Sequence, residues 1–120
     1  MLAKNNRLKK TKEIERVVKE GRKIVSRNFL VYFLSENTYS YPRFAFSVSK
    51  KVAKKAVLRN KIKRWLREIT RKEIIPTLKI NADFLVVAKK EIIEANYQII
   101  EKELKETFKK INQILHNKNS

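Results

Sequence analysis

The chain has 120 residues, 42% of them hydrophobic, and thirty Lys and Arg against twelve Asp and Glu give a net charge of +18 and a pI near 10.3. That length suits one domain spanning residues 1–120, and the six Phe, four Tyr and one Trp exclude a disordered basic tail. So large a positive charge opposes compaction unless a polyanion offsets it, which makes nucleic acid the first candidate partner, and the absence of cysteine excludes disulfides, thiol nucleophiles and thiolate metal sites.

The opening, MLAKNNRLKKTKE, has no apolar stretch of the kind that directs secretion, and nothing later approaches the roughly 18 apolar residues of a membrane span. A cytoplasmic protein with no membrane partner is expected, with basic flexible ends at about 1–8 and 116–120. Thr11 can cap a first helix through its hydroxyl, with Glu13 and Glu15 in the turn where the dipole favours acids. Gly21, the only glycine, follows Ile14, Val17 and Val18 and reads as the left-handed residue that ends that helix.

Arg22 to Arg27 can add a short strand. Phe29–Leu34 (FLVYFL) is rich in β-branched and aromatic residues, and Arg43–Ser49 (RFAFSVS) alternates Phe44, Phe46 and Val48 against Ala45, Ser47 and Ser49. The turn formers and proline of SENTYSYP between them suit a hairpin with a loop longer than the tightest kind. Helical period then runs from about Ala56 to Ile75, where Pro76 stops it. Ala82–Ala88 (ADFLVVA) is a nearly continuous apolar run, as in a strand covered on both faces. Glu94–Leu115 is helical again, with Tyr97, Ile100, Leu104, Phe108, Ile111 and Leu115 at spacings of three and four. The order α-β-β-(β)-α-β-α, with about four strands and three helices, predicts an α+β fold, a small α/β sandwich.

On a helical wheel, Leu58, Ile62, Trp65, Leu66 and Ile69 share an arc of about 100° that suits burial. The opposite arc holds Arg59, Asn60, Lys63, Arg64, Arg67 and Arg71 and no acid. A solvated face is the ordinary reading of such charge, but solubility is served by mixed signs. Arg59, Lys63, Arg67 and Arg71 form a like-charge ladder at four-residue spacing that costs helix stability. Arginine's planar donor fork suits phosphate, so the ladder favours nucleic acid. SKKVAKK, with Lys50 and Lys51, and NNRLKK flank the helix and can extend it into a basic track. Tyr32 can line a groove where bases stack, or can equally be a core tyrosine with a bonded hydroxyl. No carboxylate cluster, Gly-rich phosphate loop or nucleophile motif is apparent, and the single histidine, His116, sits in a polar tail. The chain is expected to bind and to perform no bond chemistry itself.

SVSKK followed by AVLRNKIKRWLREITR resembles the signature of the bacterial ribonuclease P protein component family, and the flanking segments RLKKTKEIERVVKEGRKIVSRNFLVYFL and ADFLVVAKK resemble it too. The resemblance implies a left-handed β-α-β crossover, against the usual handedness. It also implies partnership, one protein to one RNA, with a catalytic RNA that holds the Mg²⁺ ions and removes the 5′ leader of precursor tRNA, the protein itself binding no metal. By motif, Arg59, Asn60, Lys61, Lys63, Arg64 and Arg67 would face RNA, with Arg71, Lys50 and Lys51 beside them. Tyr32, Ile14 and Val18 would fall at the leader cleft between first helix and sheet. Lys61 stands where the family usually has arginine, Ile14 and Val18 where aromatics are frequent, and Ala53 where many members have glycine. The rival expectation is a structural RNA-binding protein, ribosomal or chaperone-like, without a part in cleavage.

Overall fold

The computed structural model describes residues 2–35 and 41–118. Its elements follow the expected order, with the short early strand present: α1 (Thr11–Glu20), β1 (Arg22–Val25), β2 (Phe29–Leu34), β3 (Arg43–Ser47), α2 (Ala56–Ile69), β4 (Asp83–Ala88) and α3 (Tyr97–Lys118). The sheet order is β1-β2-β4-β3, with β4 antiparallel to β2 and parallel to β3. β2 and β3 are therefore not the hairpin that adjacency in sequence suggests, and the loop residues 36–40 lie outside the described residues. The apolar run of β4 needs cover on both faces and bonded neighbours on both edges, and the place between β2 and β3 supplies both.

The strand periodicity sorts residues onto two faces. Phe29, Val31, Phe33, Phe44, Phe84 and Val86 point to one side, where α2 and α3 cover them with Ile62, Leu66, Ile69, Ile100, Leu104 and Phe108. Phe84 stacks on Phe44 at 4.9 Å and meets Phe108 edge-on at 5.1 Å, so three aromatic rings from two strands and a helix form the centre of this layer. The opposite face is smaller: Leu85 of β4 meets Val17 of α1 and Leu8, with Ile14, Tyr32, Leu34, Ala45 and Val87 around them.

Several local details depart from the sequence reading. Lys10, not Thr11, occupies the cap of α1 and makes no side-chain cap bond, since an ammonium has no acceptor to offer; its carbonyl accepts the Glu13 and Ile14 amides, each at 3.0 Å. Gly21 has φ −82° and ψ −179°, extended and not left-handed. Glycine is needed there for proximity: an added Cβ would collide with the Val17 carbonyl and lie 2.6 Å from the Phe33 carbonyl oxygen. The α-helical part of α2 ends at Ile69 and continues as a π-turn over Thr70–Ile74, then a 3₁₀ turn Ile75–Thr77 containing Pro76. α3 begins three residues later than periodicity suggested, because Lys90–Glu94 forms a 3₁₀ turn and Asn96 caps the helix, its Oδ1 accepting the Ile99 amide at 2.9 Å. At the chain start, the segment from Leu2 to Leu8 makes contacts with the sheet. Leu2 and Leu8 are buried, and the segment lies along the outer edge of β3, where the Leu8 amide donates to the Phe44 carbonyl at 2.8 Å.

Candidate nucleic-acid interface

The buried arc of α2 turns its opposite side to solvent, and there Asn60, Arg64, Arg67, Glu68 and Arg71 border a shallow hollow of about 460 Å³. Asn60, Arg64, Arg67 and Arg71 are exposed. Glu68 is answered by Lys72 at 2.8 Å, and that ammonium holds the Glu68 carboxyl below the usual carboxylate range by hydrogen bond and charge.

The remaining members of the predicted set are distributed differently. Arg59 is half-buried and its Nη1 donates to two backbone carbonyls, Ala53 at 2.9 Å and Lys54 at 2.7 Å. Lys61 lies on another flank, its Nζ 4.8 Å from the centre of the Trp65 ring, a cation–π contact beside the edge-on Trp65–Tyr97 pair. Lys63 is half-buried. Lys50 and Lys51 are exposed on a turn closed by the Val52 and Ala53 amides, which donate to the Ser49 carbonyl at 3.1 and 3.2 Å. Ala53 meets no conformational obstacle, since no residue among those described has a positive φ.

A second depression, of about 360 Å³, lies where α1, the edge of β3 and the N-terminal segment meet. Its floor is apolar, with Leu8, Ile14 and Ala45, while Arg7, Lys9 and Arg67 supply charge. Arg67 borders both depressions, so the outer face of α2 and the groove beside α1 meet at this residue. Of the predicted cleft residues, Ile14 lines this groove; Val18, one turn further along α1, is 42% exposed. Tyr32 does not line it, but sits further across the same sheet face in the row Lys23–Tyr32–Leu85–Ala45, with the Lys23 ammonium 5.8 Å from its ring centre. The next row, Val25–Leu30–Val87–Ser47, carries Val25 at 58% exposure and extends the apolar floor.

What sequence reading missed is the device that holds α1 over this floor. Arg43 is buried and forms a bidentate pair with Asp83, Nε to Oδ1 at 2.8 Å and Nη2 to Oδ2 at 2.7 Å, while Nη2 also reaches Glu13 of α1 at 3.0 Å. The Asp83 hydrogen bonds raise the guanidinium pKa further above its already high ordinary value; burial opposes this and Glu13 adds to it. One signal was present: Arg43 and Asp83 each open a strand whose next three residues are apolar, and each needs a partner there.

The chain matches the sequence model of the Ribonuclease P family over residues 2–112. It belongs to the ribonuclease P protein family. The ribonuclease P protein component of Bacillus pumilus is 37% identical over 109 residues, covering 91% of this chain and 90% of that one. The ribonuclease P protein of Staphylococcus aureus superposes with a TM-score of 0.77 at 33% identity, over 88% of this chain and 94% of that chain. That of Thermotoga maritima gives 0.77 at 29% identity, over 87% and 96%. Family membership ties the chain to ribonuclease P and its RNA. No helix among the described residues is long and apolar enough to cross a membrane.

Proposed function

We propose that the chain is the RNA-binding subunit of a cytoplasmic ribonuclease P, one copy per catalytic RNA, and that it holds the 5′ leader of precursor tRNA while the RNA performs the cleavage. The observation that carries this reading is Arg67, which borders both the basic hollow of α2 and the groove beside α1. A polyanion lying on Asn60, Arg64 and Arg71 is delivered at Arg67 to a floor of different chemistry, apolar with an aromatic beyond it. Folded RNA presents phosphates, which suit the first surface; a single-stranded leader presents phosphates and unstacked bases, which suit both.

Mg²⁺ belongs to the RNA in this reading, and the protein contributes fixed cations. Arginines on a rigid helix screen phosphates without being recruited from solution, so less Mg²⁺ is needed to hold the leader against the RNA. Tyr32 offers its ring to a leader base, with Lys23 beside it for the neighbouring phosphate.

The test is leader release from a precursor tRNA by ribonuclease P RNA at low Mg²⁺, with and without the protein. Stimulation that is lost on raising Mg²⁺ supports the proposal. Tight binding to the RNA with no stimulation at any Mg²⁺ concentration would return the chain to the structural RNA-binding class. Within the same assay, Tyr32→Ala should weaken binding of leader-bearing substrate relative to mature tRNA. Stacking is worth about 1–3 kcal/mol per base, roughly 5- to 150-fold.

A further inference from the structure

Arg59 stands out from the ladder to which it belongs by sequence. Arg67 and Arg71 are exposed and Lys63 is half-buried, but Arg59, also half-buried, is turned back along the chain with its guanidinium bonded to two backbone carbonyls. It also sits in the first turn of α2, where the helix dipole disfavours a cation, and that turn contains no acid and no side-chain cap. Something other than helix stability must account for a cation there.

The segment it grips explains it. Ser49–Lys55 carries Lys50, Lys51, Lys54 and Lys55, all exposed, and four like charges on one short loop drive it to open. Two anchors hold its middle: Val52 and Ala53 are buried, and their amides close on Ser49. The Lys55 carbonyl is used by the Leu58 and Arg59 amides at 3.1 and 3.2 Å to begin α2. Between anchor and helix remain the carbonyls of Ala53 and Lys54, and one nitrogen of Arg59 donates to both. A guanidinium fits this task because its donors are fixed in a plane; an ammonium on a shorter, freely rotating stem has no such preset geometry.

We propose that Arg59 is a positioning residue, which locks the lysine loop Ser49–Lys55 against the start of α2 so that the loop's four ammonium groups continue the outer face of the helix. Its effect on RNA affinity then passes through those lysines and not through a phosphate of its own. This rests on the RNA-binding reading above, but its structural half concerns the free protein.

Two measurements separate the possibilities. In free protein, Arg59→Ala and Arg59→Lys should both speed hydrogen exchange at the Val52 and Ala53 amides, leaving the amides of Ile62 to Ile69 as protected as before. Arg59→Lys keeps the charge and serves as the folded comparison should the alanine variant melt. Affinity for ribonuclease P RNA is then measured in the normal chain and in one with Lys50, Lys51, Lys54 and Lys55 changed to alanine. Arg59→Ala should weaken binding about tenfold in the first and less than about twofold in the second, the coupling expected of groups that act as a unit. Equal losses in both backgrounds, or full rescue by Arg59→Lys, would overturn the proposal and make Arg59 a direct phosphate contact. If the unaltered chain fails to bind the RNA, the RNA-binding reading fails by itself, and unchanged exchange at Val52 and Ala53 would then still overturn the role of Arg59.

Discussion

Replacing Arg43 by methionine tests how α1 is held over the sheet. The side chains of Arg43 and Asp83 are only 10% and 11% exposed, so little water is available to take over the charge that the substitution strands. Methionine keeps much of the volume and removes both bonds to Asp83 and the one to Glu13. Breaking a buried pair from one side costs about 3–5 kcal/mol. With about 2.1 cal/mol/K of unfolding entropy per residue, a chain of this length loses roughly 4 °C of melting temperature per kcal/mol, so a fall of roughly 12–20 °C is expected. Thermal and urea melts at neutral pH followed by circular dichroism read it directly. Glu13, whose side chain is 30% exposed, should matter less, with about 1 kcal/mol lost on Glu13→Gln. Arg43→Met combined with Asp83→Leu should regain most of the loss, because no buried charge is then left behind. The raised Arg43 pKa means that its stabilisation is lost only as pH rises through the folded value, which lies above the already high ordinary one, so no alkaline step should appear. A loss under about 1 kcal/mol, or a double variant no better than the single, would refute the reasoning that the pair is buried and coupled.

Gly21→Ala should destabilise despite alanine's better helix propensity, by about 1–3 kcal/mol on the scale of core overpacking, because its Cβ would lie 2.6 Å from the Phe33 carbonyl oxygen; an unchanged melting temperature would contradict the close approach of α1 and β2. Arg64→Ala with Arg67→Ala should flatten the plot of log affinity against log salt by about 1.4 if both meet single-stranded RNA, at roughly 0.7 per contact, and an unaltered slope would leave the outer face of α2 merely solvated. Counting the five cations of the motif, Arg59, Lys61, Lys63, Arg64 and Arg67, gives a slope of about −3.5, but Arg59 and Lys61 are engaged within the protein, so a shallower limb of about −2 is expected from α2. Glu68, its pKa lowered by Lys72, contributes stability above the ordinary carboxylate pKa that is lost as pH falls through the folded value. Glu68→Gln should therefore differ from the parent at neutral pH and converge with it in acid, and a gap that widens in acid would reverse the assignment.

Both faces of FLVYFL, the double cover of ADFLVVA and the buried arc of α2 were legible because each is a property of periodicity, and periodicity is written in consecutive residues. Part of the basic outer face was legible for the same reason: Arg64, Arg67 and Arg71 are exposed on the side of α2 opposite its buried arc. Strand neighbours were not. A hairpin between β2 and β3 is the natural guess from adjacency, and only the need of β4 for two bonded edges placed it between them. The sequence marks Gly21 but not its reason, since its demand comes from the nearby Val17 and the more distant Phe33 carbonyls and not from a left-handed backbone. The wheel put Arg59 and Arg67 on one face by angle alone; tertiary structure turned Arg59 back onto the loop and set Arg67 at the junction of two depressions. The sequence by itself determined which surfaces exist and their chemistry, because side-chain type and local period set them. Tertiary structure alone decided which surfaces join, which cations are already engaged, and how Arg43 ties α1 to the sheet, because those depend on contacts between residues far apart in the chain.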